Sequence, residues 1–285
     1  MLLPSIYIPD VRGRGQSAVA ESAAFDANAY GTVLLWASAA SASTLWQDTG
    51  ATSQATADGH SVARIDNLST SYTSAQVRFQ QGTAGREGIL KLGVAPNGGN
   101  AIRFDGVNDN LPVVNNVGGT HATLTVLNVY NSTVGGYPMV AGGDSGGSAG
   151  SGSFSEMRAG GAAGDNEVDV SHHLGDDRRA TLTGAAAHNV WQVHGIIESA
   201  FAHNARFFNK GTEATSYANT GTNRALAIVV GAASPSGYNG GLAGFSNLAA
   251  VTGMDWLESV IWTTALSATD LQAASTALMS KWGIT

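Results

Sequence analysis

From Thr32 onward the chain is a succession of short apolar runs cut apart by Gly, Ser, Thr, Asn and Ala, and this texture constrains the fold more than any other feature. Val33-Leu34-Leu35-Trp36, Ala101-Ile102-Arg103-Phe104, Ala122 to Tyr130, Asn189 to Glu198, Ala205-Arg206-Phe207-Phe208 and Ala225 to Val230 all have strand length. Most carry the β-branched or aromatic side chains that suit a pleated, half-buried surface. The 37 glycines against 6 prolines fit many tight turns between such strands. No fixed-period repeat emerges. A chain of 285 residues, 43% hydrophobic and 12% charged, suffices for one large all-β core. Phe208-Asn209-Lys210-Gly211 reads as a hairpin turn, with Asn and Gly able to take positive φ.

Two stretches break the texture. Residues 1–29 combine a Pro-containing extended start, Arg12-Gly13-Arg14-Gly15 and an Ala-rich stretch, and read either as an arm or as a first edge strand followed by a loop. At the other end, Ser267 stands three residues before Asp270, close to a capping box. Leu271, Ala274, Leu278 and Trp282 follow at helical spacing, so a short helix is expected to close the chain with that face on the sandwich. The run 141–153 is nearly all Gly, Ser and Ala and is expected to be a surface loop.

A net charge of −7 leaves no electrostatic footprint for nucleic acid, whose affinity comes mainly from Lys and Arg on phosphates. The absence of cysteine removes a disulfide framework and thiolate metal sites. No run of about 18 apolar residues occurs, so no spanning helix is expected. The opening lacks a basic n-region and is broken by Pro4 and Pro9, so it does not read as a signal peptide, and synthesis in the cytoplasm is expected.

Several phrases of the sequence carry a family likeness. They are Leu35-Trp36-Ala37-Ser38 leading through Leu45-Trp46-Gln47-Asp48 to Asp58-Gly59-His60, then Arg64-Ile65-Asp66-Asn67, and Phe104-Asp105-Gly106-Val107-Asn108-Asp109-Asn110-Leu111. Further on come Trp191-Gln192-Val193-His194-Gly195, Phe207 to Gly211, Trp256 to Trp262 and Lys281-Trp282-Gly283-Ile284. Together these phrases resemble a LamG-like, concanavalin A-like jelly-roll module frequent in bacteriophage structural proteins and some bacterial surface proteins. The resemblance implies a two-sheet antiparallel jelly-roll sandwich with a short C-terminal helix over residues 30–285, preceded by a docking arm over residues 1–29. It does not select a function, because such modules bind glycans, bind proteins, cleave polysaccharides or build virion surfaces.

The motifs that could carry chemistry are incomplete. Gly143-Asp144-Ser145-Gly146-Gly147 has the lettering around a serine nucleophile, but upstream only His60 and His121 are available as a base, and Ser148 to Ser153 continues as linker. Glu167-Val168-Asp169-Val170-Ser171-His172 resembles the catalytic strand of concanavalin A-like glucanases, with its last acidic position replaced by Ser171 or His172. Retaining hydrolysis requires two carboxyl groups about 5 Å apart, so a solvent-facing strand is the reading here. His172 and His173 point to opposite faces, and His188 and His194 would lie about 20 Å apart along a strand, so zinc is not expected. Asp105, Asn108 and Asp109 offer oxygen ligands for calcium, the one cofactor these residues suggest, against a hairpin in which they cap their own turn.

Most of the six tryptophans should be core, leaving Trp46 as the surface candidate. The expectation is therefore a non-enzymatic, multicopy or homo-oligomeric bacteriophage virion surface component, a capsid decoration, head fibre or tail protein. Other virion proteins would dock through Ile6, Tyr7, Ile8, Arg12 and Arg14, and host glycan would contact Trp46, His172 and His194. The alternatives are a bacterial carbohydrate-binding or adhesion module, and a divergent glycosidase using Glu167 and Asp169.

Overall fold

Strand Gly253–Trp262 organises the sandwich, and all ten of its residues are buried. Its sequence shows no apolar alternation, as expected of a strand covered on both faces. One edge pairs with Thr123–Ser132, and the other is shared between Ala101–Asp105 and Val33–Ser38. The computed structural model describes residues 25–115, 117, 120–121, 123–133, 136–140, 156–159, 167–173, 177–183, 189–199, 204–218, 228–229, 241–243 and 253–285.

Among these residues the strands form two nine-stranded antiparallel sheets, the two-sheet sandwich expected from the sequence. The first sheet runs Thr212–Ala218, Asn204–Asn209, Trp191–Ser199, Thr123–Ser132, Gly253–Trp262, Ala101–Asp105, Gly88–Lys91, Ser61–Val62, with Val33–Ser38 also on Gly253–Trp262. The second runs Asp177–Thr183, Glu167–His173, Glu156–Ala159, Gly136–Val140, Gly241–Leu242, Leu111–Asn115, Val77–Gln80, Arg64–Ile65, Leu45–Trp46. A separate pair joins Ile228–Val229 to Thr120–His121.

The first sheet separates two cores. Between the sheets, Phe104, Val126, Tyr130, Ile196, Phe207 and Trp256 pack with Leu45, Ile65, Phe79 and Val113. On its other face, Leu127, Val129, Val193, Phe208 and Trp262 pack with Leu271, Ala274, Leu278 and Trp282 of the helix Ala268–Trp282. A β-bulge opposite Val129/Tyr130 re-aims the central strand, so that Leu257 and Glu258 both face the helix.

The helix begins as the sequence implies. Ser267 Oγ accepts the Asp270 N–H at 3.0 Å, and Gly283 closes the helix in the left-handed conformation with the Ile284 N–H on Met279 O at 2.9 Å. The hairpin at residue 208 forms, with one correction: the positive φ angles fall on Lys210 (47°) and Gly211 (77°), not on Asn209. A two-residue connection needs both of its central residues left-handed to match the strand twist.

The start of the sandwich also moves relative to expectation. Residues 25–29, assigned to the arm from sequence, pack on the domain: Phe25 and Ala27 are buried, and Trp262 Nε1 donates to Ala27 O at 3.0 Å. Phe25 lies edge-on to Trp36, with ring centroids 5.8 Å apart. A buried aromatic and a satisfied indole make this segment part of the fold. The arm residues Ile6, Tyr7, Ile8, Arg12 and Arg14 lie outside the described residues.

Candidate functional site

The outward face of the second sheet gathers one aromatic and four polar side chains. Alternation turns Leu45, Ile65, Val77 and Phe79 into the core and leaves Trp46, Arg64, Arg78 and Gln80 on the opposite side, each half-buried. Register aligns them across three strands: Trp46 pairs with Arg64, and Arg64 with Gln80. Continuing that register sets Asp66 opposite Arg78, which pairs on its other side with Val114.

Hydrogen bonds hold this face in one arrangement. Asp66 accepts from Trp46 Nε1 at 2.9 Å and from Arg64 Nε at 2.6 Å, fixing the indole edge and the guanidinium together. Arg64 Nη1 also donates to Thr49 O at 3.0 Å, in a loop closed by Asp48, whose carboxylate accepts the Thr52 and Ser53 N–H groups. The Thr52 N–H first, with Ser53 and the Thr52 hydroxyl, outweighs burial and holds the Asp48 carboxyl below its usual range. Arg78 Nε donates to Gln80 Oε1 at 2.6 Å and Nη1 to Ser74 O at 3.0 Å. Burial pushes the Arg78 guanidinium below its usual range, the Arg64 charge pushes the same way, and Asp66 opposes.

An aromatic ring beside planar, pre-oriented hydrogen-bonding groups is binding chemistry: the ring offers a stacking surface, and Arg, Asp and Gln fix the orientation of a polar ligand. Sequence reading found Trp46 but not its four companions. The available signal was the strict alternation of Val77-Arg78-Phe79-Gln80 and the one-residue offsets of Arg64 and Asp66 around Ile65.

The other expected site residues are placed elsewhere. His194 is corrected from a glycan contact to a core residue: it is 0% exposed, with Nδ1 2.7 Å from the Tyr130 hydroxyl and its ring against Phe207. It lies on a first-sheet strand with both faces covered, out of reach of a glycan. His172, Glu167 and Asp169 lie on strand Glu167–His173, next to Asp177–Thr183, with side chains outside the described set. Residues 143–147 also fall outside it.

Asp105, Asn108 and Asp109 form the turn after Ala101–Asp105, the alternative weighed against calcium. Asp105 Oδ1 accepts the N–H groups of Val107, Asn108 and Asp109, and Asp109 Oδ2 accepts the Asp105 N–H. The carboxylates are thus turned onto backbone donors, an arrangement that fits a capped turn. No group of three His, Cys, Asp or Glu able to hold a metal occurs among the described residues. Burial raises the Asp109 carboxyl to about 6, with the charges of Asp105 and Glu87 adding to it.

No protein-family model and no curated protein sequence matches this chain. Among solved structures it is similar to the binding domain of Paraclostridial Mosquitocidal Protein 1, with TM-score 0.50 and 11% identity, covering 78% of this chain and 51% of that one. It is also similar to Trypanosoma rangeli sialidase in complex with 2,3-difluoro-KDN, with TM-score 0.50 and 10% identity, covering 88% of this chain and 33% of the sialidase. The chain spans between a third and about half of the length of these structures. At such identities the likeness is one of fold. Fold and face together define a β-sandwich with an aromatic and arginine-bearing outer surface.

Proposed function

We propose that this chain is a non-enzymatic binding module exposed on the surface of a bacteriophage virion, and that the outer face of its second sheet contacts host glycan. The observation that carries the glycan reading is Trp46, half-buried, its indole edge fixed by Asp66 and its row continued by Arg64 and Gln80. A rigid aromatic flanked by hydrogen-bond donors and acceptors suits a sugar, which offers an apolar ring face and a rim of hydroxyls. The non-enzymatic reading is supported by the Glu167-Val168-Asp169 pattern, which ends at Ser171 and His172 where a carboxylic acid is needed. The virion reading is supported by the jelly-roll phrases, above all Phe104 to Leu111. Docking to other virion proteins is assigned to the segment before Phe25.

A glycan array with the purified protein tests the binding reading, with Trp46→Ala as the paired variant. Retained signal on Trp46→Ala would remove this face from consideration. Mass spectrometry of purified particles tests the location, which fails if the chain is absent from them. Reducing-end release from a polysaccharide panel would overturn the non-enzymatic reading.

A further inference from the structure

We propose that the ligand of this face is an acidic glycan, with Arg78 as the residue that binds its anionic group; this rests on the glycan reading above. The geometry of Arg78 differs from that of Arg64 beside it and from that of Arg103 and Arg206 on the first sheet. Arg64, Arg103 and Arg206 each close on a carboxylate, with N···O distances of 2.6, 2.7 and 2.5 Å. Arg78 is held by Gln80 Oε1, Ser74 O and, at 3.5 Å, Ala75 O, all of them neutral. Among the described residues no carboxylate lies in ion-pair contact with it, although its guanidinium is half-buried and the Arg64 charge acts on it.

A half-buried cation beside a like charge is unfavourable unless an anion completes the site. Asp66 opposes the effect only in part, and its two oxygens hold Trp46 and Arg64 and make no hydrogen bond to Arg78. The hydrogen bonds of Arg64 and Arg78 run through Nε and Nη1 in both residues, which leaves the Nη2 edges to a ligand. Since the Arg78 fork is already immobilised at two nitrogens, little side-chain entropy is lost when it closes on an anion. From Trp46 through Arg64 to the strand of Arg78 spans two inter-strand spacings, about 10 Å, so a sugar ring stacked on Trp46 and a charged group on Arg78 fit a short oligosaccharide. Carboxylate and sulfate ester share the chemistry that Arg78 recognises.

The test is calorimetric titration of the full chain with oligogalacturonate, its methyl-esterified form, and dextran sulfate. The wild type is expected to bind oligogalacturonate in a salt-dependent manner and the neutral ester roughly 10- to 100-fold more weakly, the range of one charge-assisted hydrogen bond. Arg78→Gln is expected to bring oligogalacturonate down to the level of the ester. Arg78→Lys, which keeps the charge and loses the fork, should fall between the two. Arg206→Gln, on the other sheet, should change nothing, and equal melting temperatures across the set establish folding. Arg78-dependent binding of dextran sulfate alone would support the anion site with ester sulfate as the source. If ester and acid bind equally, or Arg78→Gln leaves the affinity for oligogalacturonate intact, the inference is overturned while the glycan reading stands. If the wild type binds neither these probes nor any glycan on an array, the glycan reading falls and this inference with it.

Discussion

Trp282 Nε1 donates to Glu258 Oε2 at 2.8 Å, tying the last turn of the helix to the central strand of the first sheet. The same carboxylate accepts from Trp36 Nε1 at 2.7 Å, Lys281 Nζ at 2.6 Å and Ser38 Oγ at 3.2 Å, and Glu258 is fully buried. Strand Val33–Ser38, strand Gly253–Trp262 and the helix are thus joined through one side chain. A carboxylate out of water is tolerated because four donors, one of them charged, replace its hydration.

Trp282→Ala is expected to destabilise the domain by about 3 to 5 kcal/mol, since it removes a large buried aromatic and a donor to the carboxylate. Trp282→Phe keeps most of the ring and loses the donor, for a smaller cost of about 1.5 to 3 kcal/mol. Urea unfolding of the two variants separates packing from hydrogen bonding. An unchanged midpoint for the alanine variant would mean that the helix does not dock.

Glu258→Gln should cost about 3 kcal/mol, because the amide turns an N–H group toward a cluster made of donors. The contrasting ion pair, Arg206 with Glu213, has side chains 37% and 36% exposed. Glu213→Gln is therefore expected to change stability by less than about 0.5 kcal/mol. Equal effects in the two variants would contradict the difference in burial.

Asp109 contributes a pH dependence opposite to that of a paired carboxylate. Its folded value, about 6 against an ordinary 3.8, is raised by burial, so the folded chain holds the proton more tightly than the unfolded one. Its contribution is complete below pH 3.8 and lost as pH rises through about 6. Asp109→Asn keeps an acceptor for the Asp105 N–H, and at pH 7 should be more stable than the wild type by about 1 to 3 kcal/mol. Unfolding of both proteins from pH 4 to 7 reads the difference, which should grow with pH.

The boundary at Phe25 can be tested by two truncations. Deletion of residues 2–24 should leave the melting temperature nearly unchanged and abolish incorporation into particles, if that segment is the docking arm. Deletion of residues 2–29 also removes Phe25 and the Ala27 carbonyl that accepts from Trp262, and should cost about 3 kcal/mol or more. Early melting of the shorter truncation would make residues before Phe25 part of the sandwich.

Gly211→Ala should destabilise by about 1 to 3 kcal/mol. Its φ is +77°, and an added Cβ would lie 3.2 Å from Ser275 Cβ and 3.3 Å from Gln272 O, so the hairpin turn is packed against the helix. A thermal melt with unchanged midpoint would show that the turn can move away at no cost.

The strands, the helix and its N-terminal cap were legible because each depends on near neighbours. Turn residues bound apolar runs, Ser267 meets Asp270 three residues on, and Leu271, Ala274, Leu278 and Trp282 recur with the helical period. The same local logic marked Trp46 as an exposed tryptophan, yet not Arg64, Asp66, Arg78 and Gln80 as its neighbours, since that requires knowing which strands pair and in what register. His194 shows the limit most clearly. On a strand covered on both faces, polar and apolar positions no longer alternate, so a core histidine held by Tyr130, 64 residues away, looks like a surface one.

The chain by itself determined an all-β succession of short strands closed by an N-capped helix, because strand period, turn chemistry and capping act over a few residues, while the two-sheet sandwich was implied by the family resemblance. Tertiary structure alone decided which polar groups are buried and which stand together on a face, because those outcomes depend on partners far apart in sequence. Trp36 and Glu258 are 222 residues apart and share one hydrogen bond, and only the pairing of Val33–Ser38 with Gly253–Trp262 brings them within 2.7 Å.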